Sequence, residues 1–167
     1  IRDLKSWVVI ANIPYAITSP LLRNLARMDR PPHHILVLVQ KELAERITAR
    51  AGNRHRGFLT VELEVFYDSQ IIGAVPQKSF WPQPEVKSAL LLLKQRPAPL
   101  VAQNELPKFR SIVAAGFSAK RKQIQNSLAG SWGIPPQGVK EKLQKAGIDP
   151  TRRAETLTIN EWRKLAK

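Results

Sequence analysis

Two short runs of consecutive apolar residues near the start of the chain predict strands. They occupy residues 7–11 and 35–39 and are rich in β-branched side chains, a pattern typical of strands covered on both faces of a sheet. Between them, Ser19 and Pro20 have the composition of a helix start. The apolar stripe that follows at helical spacing is Leu21, Leu22, Leu25 and Met28. The order strand, helix, strand predicts a parallel pair of strands.

The next part of the chain predicts further helices and strands. The helices lie at residues 41–49 and from Phe58 to about Tyr67, the strands at 70–75 and 87–94, and a basic loop at 52–57. The connector at residues 75–84 is rich in proline, which keeps it extended and out of a central ladder. Trp81, within this connector, is expected to pack rather than to stack on a ligand.

No strand pattern follows the Arg-Pro-Ala-Pro segment at residues 96–99. From about Glu105 onward, apolar residues recur at helical spacing. They are Phe109, Ile112, Val113, Phe117, Ile124, Leu128, Val139, Leu143, Trp162 and Leu165. We therefore predict an α/β domain at residues 1–97 and a small all-helical domain at residues 98–167.

The charge of the chain favours a polyanionic partner. The 167 residues include 27 Lys and Arg against 13 Asp and Glu, a formal net charge of +14. Residues 100–167 contain 13 basic and 5 acidic residues and so carry +8 of that charge. Such a field attracts nucleic acid, but charge alone leaves a nucleic-acid binder and a merely basic protein equally open.

Composition excludes several kinds of site. The chain has no cysteine, which excludes disulfides, thiolate zinc sites and a cysteine nucleophile, and fits a reducing, cytoplasmic compartment. His33, His34 and His55 have no Asp, Cys or Glu at ligand spacing, so no metal is expected. Apolar runs such as residues 89–93 are too short to cross a bilayer, and no membrane association is expected. Because the chain begins with Ile rather than Met, we expect it to be part of a longer protein.

The tetrapeptide Asn12-Ile13-Pro14-Tyr15 lies at the carboxyl end of the first predicted strand, where open α/β sheets bind their ligands. The Asn12 carboxamide oxygen and the Ile13 carbonyl, held extended by Pro14, suit the two N–H groups of an exocyclic adenine amine. Tyr15 offers a flat face for a base removed from its stack. The alternative is an ordinary strand-to-helix turn, since Asn and Pro are common in turns.

This tetrapeptide resembles the Asn-(Leu/Ile)-Pro-(Tyr/Phe) motif of the adenine N6-methyltransferases of ribosomal RNA. The resemblance continues through residues 40–46, 80–89, 117–128, 147–150 and 153–155. The last three blocks are closer to the housekeeping small-subunit adenine N6,N6-dimethyltransferases than to the resistance enzymes that act on large-subunit RNA. The resemblance implies the C-terminal half of a Rossmann-like methyltransferase sheet, followed by a small all-helical domain.

The resemblance also implies roles for individual residues. Phe80 would sandwich the target adenine against Tyr15, although a core position after a proline turn is the alternative. Lys120, Arg121 and Lys122, at the opening of a helix, would contact RNA phosphates, although a solvated basic face is the alternative. Asn12 is the one candidate for cofactor binding. Ala16 stands where the family often carries Asn, so no polar contact is expected from that position.

One departure from the family concerns S-adenosylmethionine. The family holds this cofactor with a glycine-rich loop and an acidic residue, whereas the first glycine here is Gly52. We therefore expect most of the cofactor site to be absent and the chain alone to be inactive. The parent activity implied is dimethylation of adenine N6 in small-subunit ribosomal RNA, free or in a 30S-type particle. A non-catalytic RNA-binding or ribosome-assembly module is the alternative.

Overall fold

The computed structural model describes residues 6–167, which form four strands and seven α-helices. The strands are β1 (Val8–Asn12), β2 (His34–Gln40), β3 (Tyr67–Val75) and β4 (Ser88–Gln95). The helices are α1 (Tyr15–Ala26), α2 (Lys41–Ile47), α3 (Phe58–Phe66), α4 (Leu106–Gly116), α5 (Ile124–Trp132), α6 (Pro136–Lys145) and α7 (Ile159–Ala166). Residues 1–5 of the first predicted domain lie outside the described part. The prediction of an α/β sheet followed by helices is confirmed.

The strands form one sheet in the order β1-β2-β4-β3. Strands β1 and β2 are parallel, as predicted, and β4 runs antiparallel to both of its neighbours. The central pair β2 and β4 buries the side chains that alternate along one face of each strand. These are Ile35, Val37 and Val39 of β2 and Ala89, Leu91 and Leu93 of β4.

Two details of the first strand-helix unit differ from the sequence prediction. Strand β1 is an edge strand of the described sheet, and Val8 and Ile10 are 56% and 76% exposed, so the prediction of cover on both faces is wrong for β1. Helix α1 begins at Tyr15 rather than at Ser19, and Pro20 lies inside it. A proline this near the helix start removes one backbone hydrogen bond, while the helix still buries Leu22 and Leu25.

The chain divides into two compact units. Unit 1 comprises residues 1–49 and 62–99, and unit 2 comprises residues 50–61 and 100–167. The assignment of residues 50–61 to the helical unit has no signal in the local sequence pattern; the Gly52 N–H donates to the Glu155 carbonyl at 3.0 Å. The predicted separation at residues 97 and 98 into two functional domains stays a prediction.

Within unit 1, a buried carboxylate fixes α1 to α3. Glu62 is 2% exposed, and it lies 2.6 Å from the Arg27 guanidinium and 3.2 Å from Nε of Arg23. A buried carboxylate is tolerated when cations of this kind compensate it. Arg23 of α1 and Arg27, directly after its last residue, therefore hold the helix that begins at Tyr15.

Within unit 2, Trp162 of α7 is fully buried and forms the centre of the helical core. Its ring centroid lies 5.8 Å from that of Phe117, and a Cβ built on Gly116 of α4 would lie 2.9 Å from Cζ3 of Trp162 and 3.0 Å from Cδ1 of Ile124. Glycine is therefore the residue that lets α4 approach the indole so closely.

We expect Gly116→Ala to destabilise the chain by about 1–3 kcal/mol, because the added methyl group overpacks the core against Trp162. Gly130→Ala is the matched control, since Gly130 lies in α5 with nothing within 4 Å of its Cβ position. That substitution should stabilise the chain by up to about 1 kcal/mol through helix propensity. Urea unfolding measures both. Equal effects of the two substitutions would contradict the close packing.

The stability of unit 2 should depend on pH through the Glu161 carboxyl group. Partial burial favours the neutral form of Glu161, but hydrogen bonds from Arg152 and Thr158 outweigh it and lower the pKa of this carboxyl. A carboxyl with a lowered pKa in the folded state contributes stability above its ordinary pKa and loses it as pH falls. Urea unfolding should therefore show that Glu161→Gln destabilises the chain near pH 7 and that the deficit shrinks near pH 3. A deficit independent of pH would contradict this.

Candidate functional site

The Asn12–Tyr15 loop joins the end of β1 to the start of α1. The Ile17 N–H and the Thr18 hydroxyl both donate to the Pro14 carbonyl, at 3.2 and 3.3 Å, and anchor the first turn of α1 there. Pro14 itself is extended, with ψ of 134°. The Asn12 side chain is exposed and makes no hydrogen bond to any described residue. Its carboxamide is therefore available to a ligand.

The Tyr15 ring is held by a hydrogen bond to β4. Its hydroxyl lies 2.7 Å from the Ser88 hydroxyl, and either oxygen can donate. Ser88 is fully buried at the start of β4 and pairs with Gln40 at the end of β2. This contact ties the tyrosine to the centre of the sheet. No pattern in the sequence indicated a role for Ser88, although it lies within residues 80–89, one of the segments that resemble the family.

A second loop, residues 76–87, carries Phe80. It contains a single turn of 3-10 helix at Gln77–Ser79, so the prediction of an extended connector is incomplete. The Gln77 amide donates to the carbonyls of Pro84 and Glu85, at 3.2 and 2.6 Å, and draws the ends of the loop together. No pattern in the sequence indicated this contact, because it joins residues of an irregular segment.

The two loops line an open cavity of about 330 Å³. It is lined by Asn12, Ile13, Pro14, Tyr15, Phe80, Trp81, Pro82 and Pro84. The structure thus brings together the five candidate catalytic residues, Asn12, Ile13, Pro14, Tyr15 and Phe80, from two distant segments of the sequence. Trp81 is 97% exposed at the rim, so the expectation that it packs is wrong. With no ionisable residue except Tyr15 in its lining, the cavity suits a flat, neutral, polar-edged group such as a nucleobase.

The candidate phosphate contacts lie in unit 2. Lys120, Arg121 and Lys122 are exposed in the turn between α4 and α5, and the Lys122 N–H donates to the Ala119 carbonyl at 3.0 Å. Helix α5 begins only at Ile124, so the expectation that these residues open a helix is wrong. Their role in binding RNA stays a prediction.

Among residues 6–167, no group of three or more His, Cys, Asp or Glu side chains is arranged to bind a metal ion. This part of the chain also holds no helix with the length and apolar character needed to cross a membrane.

Comparison with known proteins decides the family. The model of the family described as ribosomal RNA adenine dimethylase matches residues 2–167. The chain belongs to this family. It is 41% identical over 155 residues to "Ribosomal RNA small subunit methyltransferase A" of Desulfitobacterium hafniense, covering 93% of this chain and 55% of that relative. The protein of the same name from Dehalococcoides mccartyi is 36% identical over 159 residues, covering 95% and 54%. The chain thus spans about half the length of these relatives.

Two solved structures show the same fold. A dimethyladenosine transferase from Plasmodium falciparum superposes with a TM-score of 0.80 at 23% identity, covering 97% of this chain and 66% of that structure. The 23S rRNA methyltransferase ErmE superposes with a TM-score of 0.70 at 24% identity, covering 98% and 66%. The predicted fold, the C-terminal half of a Rossmann-like methyltransferase sheet followed by helices, is confirmed.

The hydroxyl groups of Tyr15 and Ser88 should contribute to stability as a coupled pair. Tyr15→Phe leaves the buried Ser88 hydroxyl without its partner, and we expect it to destabilise the chain by about 1–3 kcal/mol. Adding Ser88→Ala should lower the free energy of unfolding little further, because both hydroxyl groups are then removed. A double-mutant cycle by urea unfolding measures this coupling.

The control pairs Tyr15→Phe with Ser79→Ala, which removes an exposed hydroxyl from the same loop region. These two substitutions should act additively. Additive effects of the Tyr15 and Ser88 substitutions would show that the hydrogen bond does not hold the ring.

Proposed function

We propose that this chain is the adenine-binding and RNA-binding part of a cytoplasmic enzyme that dimethylates adenine N6 in small-subunit ribosomal RNA. The observation that carries the proposal is the cavity in which Asn12, Tyr15 and Phe80 meet. The names of the relatives support the small subunit as the target. Ribosomal RNA within a 30S-type particle is the proposed partner.

Asn12 and Ile13 hold the target amine in this proposal. The exocyclic nitrogen of adenine carries two N–H groups, and the Asn12 carboxamide oxygen and the Ile13 carbonyl accept one each. Pro14 keeps the Ile13 carbonyl in an extended segment. With both hydrogens held, the nitrogen lone pair points out of the ring plane toward an approaching methyl group. Alignment of this kind, rather than a strong base, is what the loop contributes.

Tyr15 and Phe80 hold the base itself. Both rings line the cavity and are half-buried, and in this proposal each offers one face for stacking. Stacking of a base on an aromatic side chain is typically worth about 1–3 kcal/mol, which offsets part of the cost of removing the adenine from its helix. The Ser88 hydroxyl, 2.7 Å from that of Tyr15, fixes the tyrosine ring before the base arrives.

The described residues do not form a complete site for the methyl donor. S-adenosylmethionine supplies an electrophilic methyl group when bound, and binding it requires walls around its amino acid and ribose parts. The exposed edge strand β1, with Ile10 76% exposed, provides no such enclosure, and Asn12 is the one proposed contact. We therefore expect the chain alone to bind this cofactor weakly.

A non-catalytic RNA-binding or ribosome-assembly module is the second candidate. The charge of +8 on residues 100–167 supports it, because a basic helical unit binds RNA without any methyl transfer. The two candidates differ in what they require of Asn12. Only methyl transfer depends on its carboxamide.

We expect Asn12→Ala in the longer enzyme to slow single-turnover methylation of unmethylated small-subunit RNA. The activation free energy should rise by about 2–4 kcal/mol, which is typical for the loss of a preorganised polar contact. RNA affinity should stay nearly unchanged, since phosphate contacts supply most of it. Asn24→Ala is the control, because it removes an exposed amide from the same helix-loop region, outside the cavity. If the Asn12 variant methylates as fast as the Asn24 variant and the unaltered enzyme, the loop is only a turn. That result would favour the non-catalytic RNA-binding module.

A further inference from the structure

A larger cavity, of about 620 Å³, lies in unit 2, and the proposed methyl transfer does not use it. Five of its ten lining residues are lysines and none is acidic. The lysines are Lys108 of α4, Lys142 and Lys145 of α6, Lys164 of α7 and Lys167. We call this site the lysine cavity. Such a concentration of one charge around a concave surface attracts an anionic ligand.

The lysines of the lysine cavity are not neutralised by neighbouring side chains. Within residues 6–167, none of the five has a side-chain carboxylate within 4.0 Å; Lys108 donates instead to the main-chain oxygen of Lys167, at 2.9 Å. In the same unit, Arg152 is paired with Glu161, so unit 2 does pair some of its cations. A bound anion would relieve the mutual repulsion of the five lysines.

The lysine cavity also contains an aromatic face. Trp132, the last residue of α5, is half-buried in its wall, and the Lys142 ammonium lies 5.5 Å from the ring centroid. Ile112 and Leu165 add apolar surface to the lining. A flat aromatic surface beside several ammonium groups is the combination that binds a nucleotide, whose base stacks while its phosphate pairs with lysine. An acidic peptide would use the charges but would gain nothing from the indole face.

We propose that the lysine cavity captures one unpaired nucleotide of RNA, with the base against Trp132 and the flanking phosphates on Lys142, Lys145 and Lys164. The proposal rests on the proposed function only in taking RNA as the ligand. The site is separate from the exposed turn at residues 120–122, none of which lines the cavity. It would give unit 2 a contact that requires an unpaired base, beyond general attraction to phosphates.

The first test compares two double variants of the full chain. Lys145→Gln with Lys164→Gln removes two charges from the lysine cavity, whereas Lys140→Gln with Arg153→Gln removes two exposed charges of unit 2 outside it. Binding of an eight-nucleotide single-stranded RNA is measured by fluorescence anisotropy over a range of salt. The cavity pair should lose about tenfold in affinity and one to two units of salt slope, and the control pair much less. Equal losses would overturn the proposal.

The second test separates base from phosphate. Trp132→Leu should weaken the RNA by at least about fivefold, Trp132→Phe should retain most of the affinity, and neither should affect an abasic strand with the same phosphates. Equal weakening of RNA and abasic strand would overturn the stacking role. Oligoglutamate that binds as tightly as RNA, with the same dependence on Lys145 and Lys164, would instead assign the cavity to an acidic protein surface.

The third test needs no variant and so does not depend on how Trp132→Leu folds. RNA carrying 4-thiouridine is irradiated with the unaltered chain, and cross-linked peptides are identified by mass spectrometry. Cross-links should fall on residues 132–146, and their absence there would overturn the proposal. None of the three tests measures methylation. A negative result in them would therefore not affect the role proposed for Asn12, and a negative result for Asn12→Ala would not affect the proposal for the lysine cavity.

Discussion

The antiparallel pairing of β4 with β2 is the constraint on which the rest of unit 1 depends. It runs from His34 opposite Lys94 to Gln40 opposite Ser88, and the apolar residues of both strands on the buried face hold that register. Because Ser88 is thereby fixed at the end of β2, the loop that precedes it reaches the end of β1. The Tyr15 hydroxyl then meets the Ser88 hydroxyl at 2.7 Å, and Phe80 lines the same cavity as Asn12.

The two cavities differ in chemistry in a way that suits different tasks. The smaller one has no charged side chain in its lining, and its polar groups are few and directional, so it favours orientation of one nucleobase. The lysine cavity has five cations and one indole, so it favours affinity for a polyanion. A nucleic-acid enzyme needs both, since phosphate contacts bind all sequences and only oriented contacts select the reacting atom.

Support for the candidate site comes from residues that never touch it. Glu62 is buried between Arg23 and Arg27 and fixes α1, and Gln77 closes the Phe80 loop through two backbone carbonyls. Glu62 needs both arginines, because an unpaired buried carboxylate is costly. Strand β1, by contrast, is an edge strand of the described sheet and exposes Val8 and Ile10.

The sequence by itself determined the elements and the motif. Apolar runs indicated β1 and β2, helical spacing indicated α4 to α7, and the Asn12–Tyr15 loop was recognisable because its chemistry lies in four consecutive residues. The contacts that complete the site were decided only by tertiary structure. The pairing of Ser88 with Tyr15 and the grouping of Trp132 with lysines from three helices join residues distant in sequence. The closure by Gln77 lies within one irregular loop, and α1 starts ahead of the helix-start signal at Ser19 and Pro20. The local sequence pattern shows which side chains of a helix or strand are buried. The residues that those side chains contact depend on strand register and helix packing.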